Sequence, residues 1–280
     1  MLTHPDGTSQ VVASQAFDLQ CSVSRQIMAI ETMPLDQRAQ NLVGVRAGRS
    51  SRQQLNETLG DLRGSVLFQL LDDFAGASLV APWAWSNWIP DWPPQQADGS
   101  AGPKSGAMVN ICTGFASGSS ALRPDLGVNT GIQSSAPVAD LGDPDDPLAW
   151  HDLPDFEGPQ MRRARRLDLW RDGAVLKADV GFQDSGSLPA GGRRGVHEYR
   201  LFAEIDATSG TLAAIRAEAL VLPYAECPGA VLNLNRLIGK PVNELRTSVT
   251  DELAGTLGCT HLNDVARSLA DALVLADALP

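Results

Sequence analysis

The sequence predicts an α+β fold: two tandem, diverged units in which antiparallel strands come first and the helices that cover them follow. Two stretches of period-two hydrophobic alternation point to it, one within residues 10–34 and one from about 164. Each gives way to stretches of helical periodicity. The third observation is that the two helical stretches share some spellings.

In residues 10–34, Phe17, Leu19, Cys21 and Val23 alternate with Asp18, Gln20 and Ser22, the pattern of a half-buried strand with Cys21 on the core side. Ile27 to Thr32 reads as its partner. Helical patterns follow over about 35–43, 50–59 and 62–78, with Ser50 as the expected N-cap of the second. Residues 81–160 change composition to Pro, Gly, Ser and Asp, with Trp83, Trp85, Trp88 and Trp92 crowded at the start. So much indole is not expected to hang in water. The stretch reads as an arm packed on the folded halves, or as an aromatic lid over a pocket.

From about 164, Leu167 and Leu169 lead to a turn at Asp172-Gly173. The strand 174–184 then sets Leu176, Ala178, Val180, Phe182 and Asp184 on one face. The strand 197–206 does the same with His197, Tyr199, Leu201, Ala203 and Ile205, and 212–221 adds another. Helical stretches follow near 228–238, 243–254 and 259–277. In the last, Leu262, Val265, Ala266, Leu269 and Leu273 form one stripe. The expected organisation is therefore 1–80, a connector 81–160, and 161–280.

Asn41-Leu42-Val43-Gly44 has a counterpart in Arg236-Leu237-Ile238-Gly239, each a glycine stop after a helix. Gly64 to Asp73 can be aligned with Gly255 to Asp264, which sets Phe68 against Cys259 and Leu70 against His261. Pro34-Leu35 then stands in place of Cys227-Pro228. In this alignment the first copy keeps the packing pattern and has lost its polar groups, so the later copy is where chemistry is expected.

A formal net charge of −11 argues against nucleic acid or an anionic membrane surface as partner. Arg162, Arg163, Arg165 and Arg166 are a local exception, read as a solvated strand or strand entry in preference to a site for a ligand anion. MLTHPDGTSQ shows no secretory pattern, and no run of about 18 apolar residues is available to span a membrane. The four cysteines, Cys21, Cys112, Cys227 and Cys259, lie far apart in a chain large enough to need no staples. Together these features predict a cytoplasmic protein with reduced thiols. A small-molecule substrate is the expected partner, with a homodimer left open.

Cys227, just before Pro228, and Cys259 with His261 are expected at helix N-termini, where the local field favours thiolate. Asp184 and His197 have inward parity on neighbouring strands, and buried polar groups need partners. Asp184 and His197 could form an acid–base pair. Alternatively, Cys227, Cys259, His197 and His261 could bind zinc, though their spacing fits no zinc-finger pattern. A third reading makes the cysteines small apolar core residues and His197 a satisfied core histidine. Cys112, in Asn110-Ile111-Cys112-Thr113-Gly114, and His151, in Ala149-Trp150-His151, lie in the connector. Gly102-Pro103-Lys104-Ser105 lacks the spacing of a phosphate-binding loop.

Asp145-Asp146-Pro147-Leu148-Ala149-Trp150-His151, the arginine run to Leu167-Asp168, Cys227-Pro228 and Gly258-Cys259-Thr260-His261-Leu262 resemble a bacterial family catalogued as a domain of unknown function. More distantly, the C-terminal order is similar to the NifU/IscU-type iron–sulfur cluster scaffolds: antiparallel strands, a cysteine before the first helix, and a cysteine opening the last. That resemblance implies a scaffold-like fold and ligand positions at Cys227 and Cys259, with His197 near the loop that supplies a third cysteine. The chain has no cysteine in that loop, and Gly258 stands where the scaffolds carry histidine, so an iron–sulfur cluster is disfavoured. The expectation is a small-molecule enzyme of lyase, isomerase or hydrolase type with no organic cofactor, acting through Asp184, His197, Cys227, Cys259 and His261. The alternative is a non-catalytic zinc- or iron–sulfur-binding protein.

Overall fold

The structure is a computed structural model that describes residues 1–89, 108–122, 134–138 and 156–279. Trp92, the 102–105 segment and the 145–151 motif lie outside the described residues. The chain divides into two compact units, Met1–Leu79 with Asp271–Pro280, and Val80–Ala270. Antiparallel sheets and helices make up both, so the protein is α+β. No described helix is long and apolar enough to cross a membrane.

In the first unit, β1 (Leu2–Thr3) pairs with β2 (Ser9–Gln10), and β3 (Ala16–Cys21) with β4 (Ile27–Met33) in an antiparallel hairpin. Phe17 and Leu19 face inward as the alternation requires, but Cys21 is exposed. A β-bulge between Gln20 and Cys21 shifts the register and turns the thiol outward, an event that hydrophobic period alone does not signal. A 3-10 turn at Gln37–Leu42 comes next, capped by the Asp36 side chain, which accepts from the Arg38 N–H. Helix α1 (Arg49–Leu59) has Gly48, not Ser50, as its N-cap. Gly48 sits at φ +141°, open to glycine, and the Ser51 hydroxyl three residues on accepts the Gly48 N–H. Ile27, Ile30, Leu55, Leu59, Leu67 and Phe68 form the core of this unit. Helix α2 (Val66–Ser86) runs through Pro82, so Trp83 and Trp85 lie in a helix rather than in a connector.

In the second unit the sheet contains β5 (Ala136–Pro137), β6 (Met161–Asp172), β7 (Val175–Ser187), β8 (Arg193–Asp206) and β9 (Leu212–Val221). The order is β6-β7-β8, with β9 and the short β5 both pairing the far edge of β8 at different heights. Gly173, at φ +60°, supplies the tight β6–β7 turn. Leu176, Ala178, Val180, Phe182 and Asp184 on β7, and His197, Tyr199, Leu201, Ala203 and Ile205 on β8, are all buried, as their alternation predicts.

Against the sheet lie a 3-10 stretch (Cys227–Leu237) and α4 (Thr260–Ser268), with α3 (Leu245–Glu252) packed on these two; together they bury Leu234, Leu237, Leu245, Val249, Leu262 and Val265. The expected last helix, 259–277, is divided. After α4 the backbone tightens into a 3-10 turn at Leu269–Asp271, the Leu269 N–H reaching back to Ala266, and α5 (Ala272–Ala276) comes after it.

One local backbone pattern occurs twice. Gly44 (φ +86°) donates to Ile27 O, and Ile27 donates to Val45 O. Gly239 (φ +83°) donates to Leu212 O, and Leu212 donates to Lys240 O. In both places glycine takes the left-handed conformation that ends a 3-10 turn and ties it to a strand start. The first unit has a two-stranded hairpin where the second has four long strands, so the likeness found is confined to this turn, and the expected duplication of whole halves is not confirmed. The helix starts at Val66 and Thr260 do not support the alignment of Phe68 with Cys259 and Leu70 with His261 that the spellings suggest.

Candidate functional site

Asp184 and His197 are direct partners across the β7–β8 ladder. Immediately beyond them the register shifts, Ser185 pairing with Gly195 and leaving Val196 as the extra residue of a bulge. This end of the sheet is covered on both faces: Gln183 to Ser187 are all buried. Trp88 Nε1 donates to the Ser187 carbonyl at 2.9 Å, and a Cβ on Gly186 would lie 3.0 Å from the Trp83 ring. Trp83, in the last turns of α2, and Trp88, just after it, therefore close over the strand that carries Asp184.

The carboxylate is held by a residue expected, from its sequence neighbours, to lie in solvent. Arg163, on β6 directly opposite Asp184, donates from Nε to Oδ1 at 2.8 Å and from Nη2 to Oδ2 at 2.7 Å. Its remaining arm, Nη1, reaches Asp264 Oδ2 on α4 at 2.7 Å. The arginine side chain is only 4% exposed. Arg165 bonds the Asp264 carbonyl, and Arg166 pairs with Asp168. The solvated-face reading of the arginine run is thus wrong for Arg163, because an inward Asp184 needs a cation and β6 supplies one at the same height. The signal was legible: Arg163 shares the parity of Leu167 and Leu169. Asp264, one turn along α4 from His261, was missed for lack of any pattern that singled it out.

His261 comes from the first turn of α4, whose N-cap is Cys259. Its ring stacks on that of His197, centroids 3.4 Å apart and planes 18° from parallel. His261 Nε2 faces Asp184 Oδ2 at 3.6 Å, an electrostatic neighbour beyond hydrogen-bond reach. His261 Nε2 and His197 Nδ1 are both buried without a hydrogen-bond partner among the described residues. His261 Nδ1 lies 3.3 Å from Thr260 Oγ1 and 3.9 Å from Cys259 Sγ. Burial first, then the His261 ring and the Arg163 charge, hold His197 well below the ordinary imidazole range. For His261 the causes are burial and then Arg163. Asp184, His197 and His261 offer ligand atoms that all lie within 4.8 Å of one another.

The cysteines form a neighbouring group rather than part of this one. Cys227 opens its 3-10 stretch, with Glu226 at the cap position, and Cys259 is the N-cap of α4. Cys112 joins them. Thr113 donates from its N–H and its hydroxyl to the Gly258 carbonyl, each at 2.9 Å, and a Cβ on Gly114 would lie 2.6 Å from Cys227 Sγ and 4.0 Å from Cys112 Sγ. All three sulfurs act on the buried Tyr199 phenol, Cys259 most strongly, as the thiol beside its hydroxyl. The expectation of thiolates at helix starts is overturned. Burial outweighs the backbone N–H groups and pushes Cys227 up to about 12, Cys112 up to about 11, and Cys259 up as well. Among the described residues, the tetrad Cys227, Cys259, His197 and His261 does not converge as one ligand group; Cys259 touches the edge of the histidine pair and Cys227 stands apart.

Residues 161–275 match the profile of a family described as "Protein of unknown function (DUF2889)". The matched stretch holds Arg163, Asp184, His197, Cys227, Cys259, His261 and Asp264, while Cys112 falls outside it. No curated protein and no solved structure was found to match the chain. Neither comparison shows the expected likeness to cluster scaffolds, which stands as a resemblance of sequence order only.

Proposed function

We propose that the second unit is a small-molecule enzyme of lyase, isomerase or hydrolase type, with Asp184, His197 and His261 as its proton-handling set. The observation that carries this reading is the pair of stacked imidazoles, each with one ring nitrogen buried and unpartnered beside a carboxylate. An orphaned buried polar atom costs about 1–3 kcal/mol, and two of them side by side next to a carboxylate favour a partner bound there. A bound reactant that donates to or accepts from these nitrogens offsets it. Arg163 fixes Asp184 at both oxygens and so presents it in a single orientation. Trp83 and Trp88 act as cover, keeping water from the strand end. Cys259, against the His261 ring, is a positioning group.

The test is a thermal-shift screen of small acids, amides, esters and hydroxy compounds against the wild-type protein and His261→Gln, with the variant's fold checked by circular dichroism. Compounds that raise the wild-type Tm and leave the variant unmoved support the reading, and they nominate substrates for turnover assays. Compounds that shift both proteins equally, or no shift anywhere in the panel, count against it.

A further inference from the structure

We propose that Asp184, His197 and His261 are the protein ligands of a divalent transition-metal ion of the zinc class, a ligand set distinct from the cysteine-containing one that the sequence suggested. The inference rests on the reading that this cluster is the working centre of the chain, and it names the group that occupies it.

Three donors within 4.8 Å of one another are close to a first coordination shell. Ligand atoms at roughly 2.1 Å from a tetrahedral ion stand about 3.4 Å from each other, so a contraction on the order of 1 Å completes the set. One tautomer of His261 suits a metal ligand. Thr260 Oγ1 lies 3.3 Å from its Nδ1, so a proton on Nδ1 has an acceptor there. That tautomer directs the Nε2 lone pair toward the same space as the Asp184 carboxylate oxygen, 3.6 Å away, so both can reach one cation. His197 brings the third donor of the set.

The surroundings are those of a supported metal ligand. Asp184 is oriented by the guanidinium of Arg163, which is itself fixed by Asp264. Two imidazoles and one carboxylate suit zinc, iron(II) or cobalt(II) and leave coordination positions for water or a reactant. An ion-bound water would then carry the proton transfers that the proposed function requires. The stacked rings have nearly parallel lone pairs, so binding calls for one ring to tilt about its broad terminal torsion.

The test uses the full chain, stripped with chelator, given zinc sulfate or cobalt chloride, desalted, and analysed for metal by mass spectrometry and for cobalt by absorption. The expected result is about one ion per chain, a raised Tm, and a cobalt spectrum without the near-ultraviolet thiolate bands. His197→Gln and His261→Gln should each weaken retention by about 10–100-fold, while Cys227→Ser should leave it unchanged. Should either glutamine variant unfold, the wild-type cobalt spectrum still decides, because thiolate bands would assign the ion to the cysteines and overturn the proposal. Stoichiometric binding that survives both glutamine substitutions overturns it too. A wild-type protein that retains neither ion sinks the metal site alone, and leaves the proton-transfer reading to the ligand screen.

Discussion

Arg163 and Asp184 face each other across β6 and β7 as a two-point ion pair, with the arginine side chain 4% exposed and the aspartate 0%. The same guanidinium binds Asp264, so one strand cation joins two carboxylates, one on the sheet and one on α4. Burial of this kind makes removal of one partner costly, because a charge is left without its counter-charge in a medium that solvates it poorly.

Arg163→Ala is therefore expected to lower the unfolding free energy by roughly 3–5 kcal/mol in urea titrations. Arg163→Lys restores the charge but not the fork, and should recover only part of the loss. A change in Arg163→Ala below about 1 kcal/mol would mean that the pair is solvated.

Gly258 marks a close approach rather than a special backbone conformation. A Cβ there would collide with the Leu253 carbonyl and stand 2.8–2.9 Å from the Asn263 side-chain amide, just before Cys259. Gly258→Ala should cost about 1–3 kcal/mol by chemical denaturation. Gly181→Ala, where a Cβ meets nothing within 4 Å, should stay within about 0.5 kcal/mol. Equal effects at the two positions would count against the packing around the Cys259 cap.

Tyr199 is almost fully buried with its hydroxyl beside the Cys259 thiol, and burial first, then Cys259, drives its pKa well above the ordinary value. A thiol is a weak hydrogen-bond partner, so Tyr199→Phe, which keeps the ring, should leave Tm unchanged or slightly raised. A loss above about 1 kcal/mol would show that the contact with Cys259 holds the hydroxyl firmly.

The thiols should separate by reactivity. Cys21 is exposed, whereas Cys227 and Cys259 are buried, so a thiol reagent at mild pH should modify Cys21 at once and the buried pair only as the protein opens. Cys227 has a folded-state pKa raised to about 12 from an ordinary 9.0. Its contribution is fully present below the unfolded value and is lost as the pH rises from about 9 toward about 12, because the unfolded chain ionises first. Urea midpoints of wild-type protein should fall over that window more steeply than those of Cys227→Ala. Rapid labelling of Cys227 at pH 7 in the folded protein would contradict the burial of its sulfur.

Much of the second unit was written in local sequence. Period-two alternation placed Asp184 and His197 inward on adjacent strands, and the Cys259-Thr260-His261 run marked the start of a helix, because strand pleat and helix capping depend on neighbours a few residues away. What alternation cannot supply is register between strands and the docking of helices. Only the tertiary structure set Arg163 opposite Asp184, turned Cys21 outward at a bulge, stacked His261 on His197, and drew Cys112 to Cys227 from over a hundred residues away. The thiol protonation states reversed for the same reason. A helix start acts over a few ångströms and was visible in the sequence, but desolvation depends on everything packed around the sulfur, and that is decided only when the chain closes.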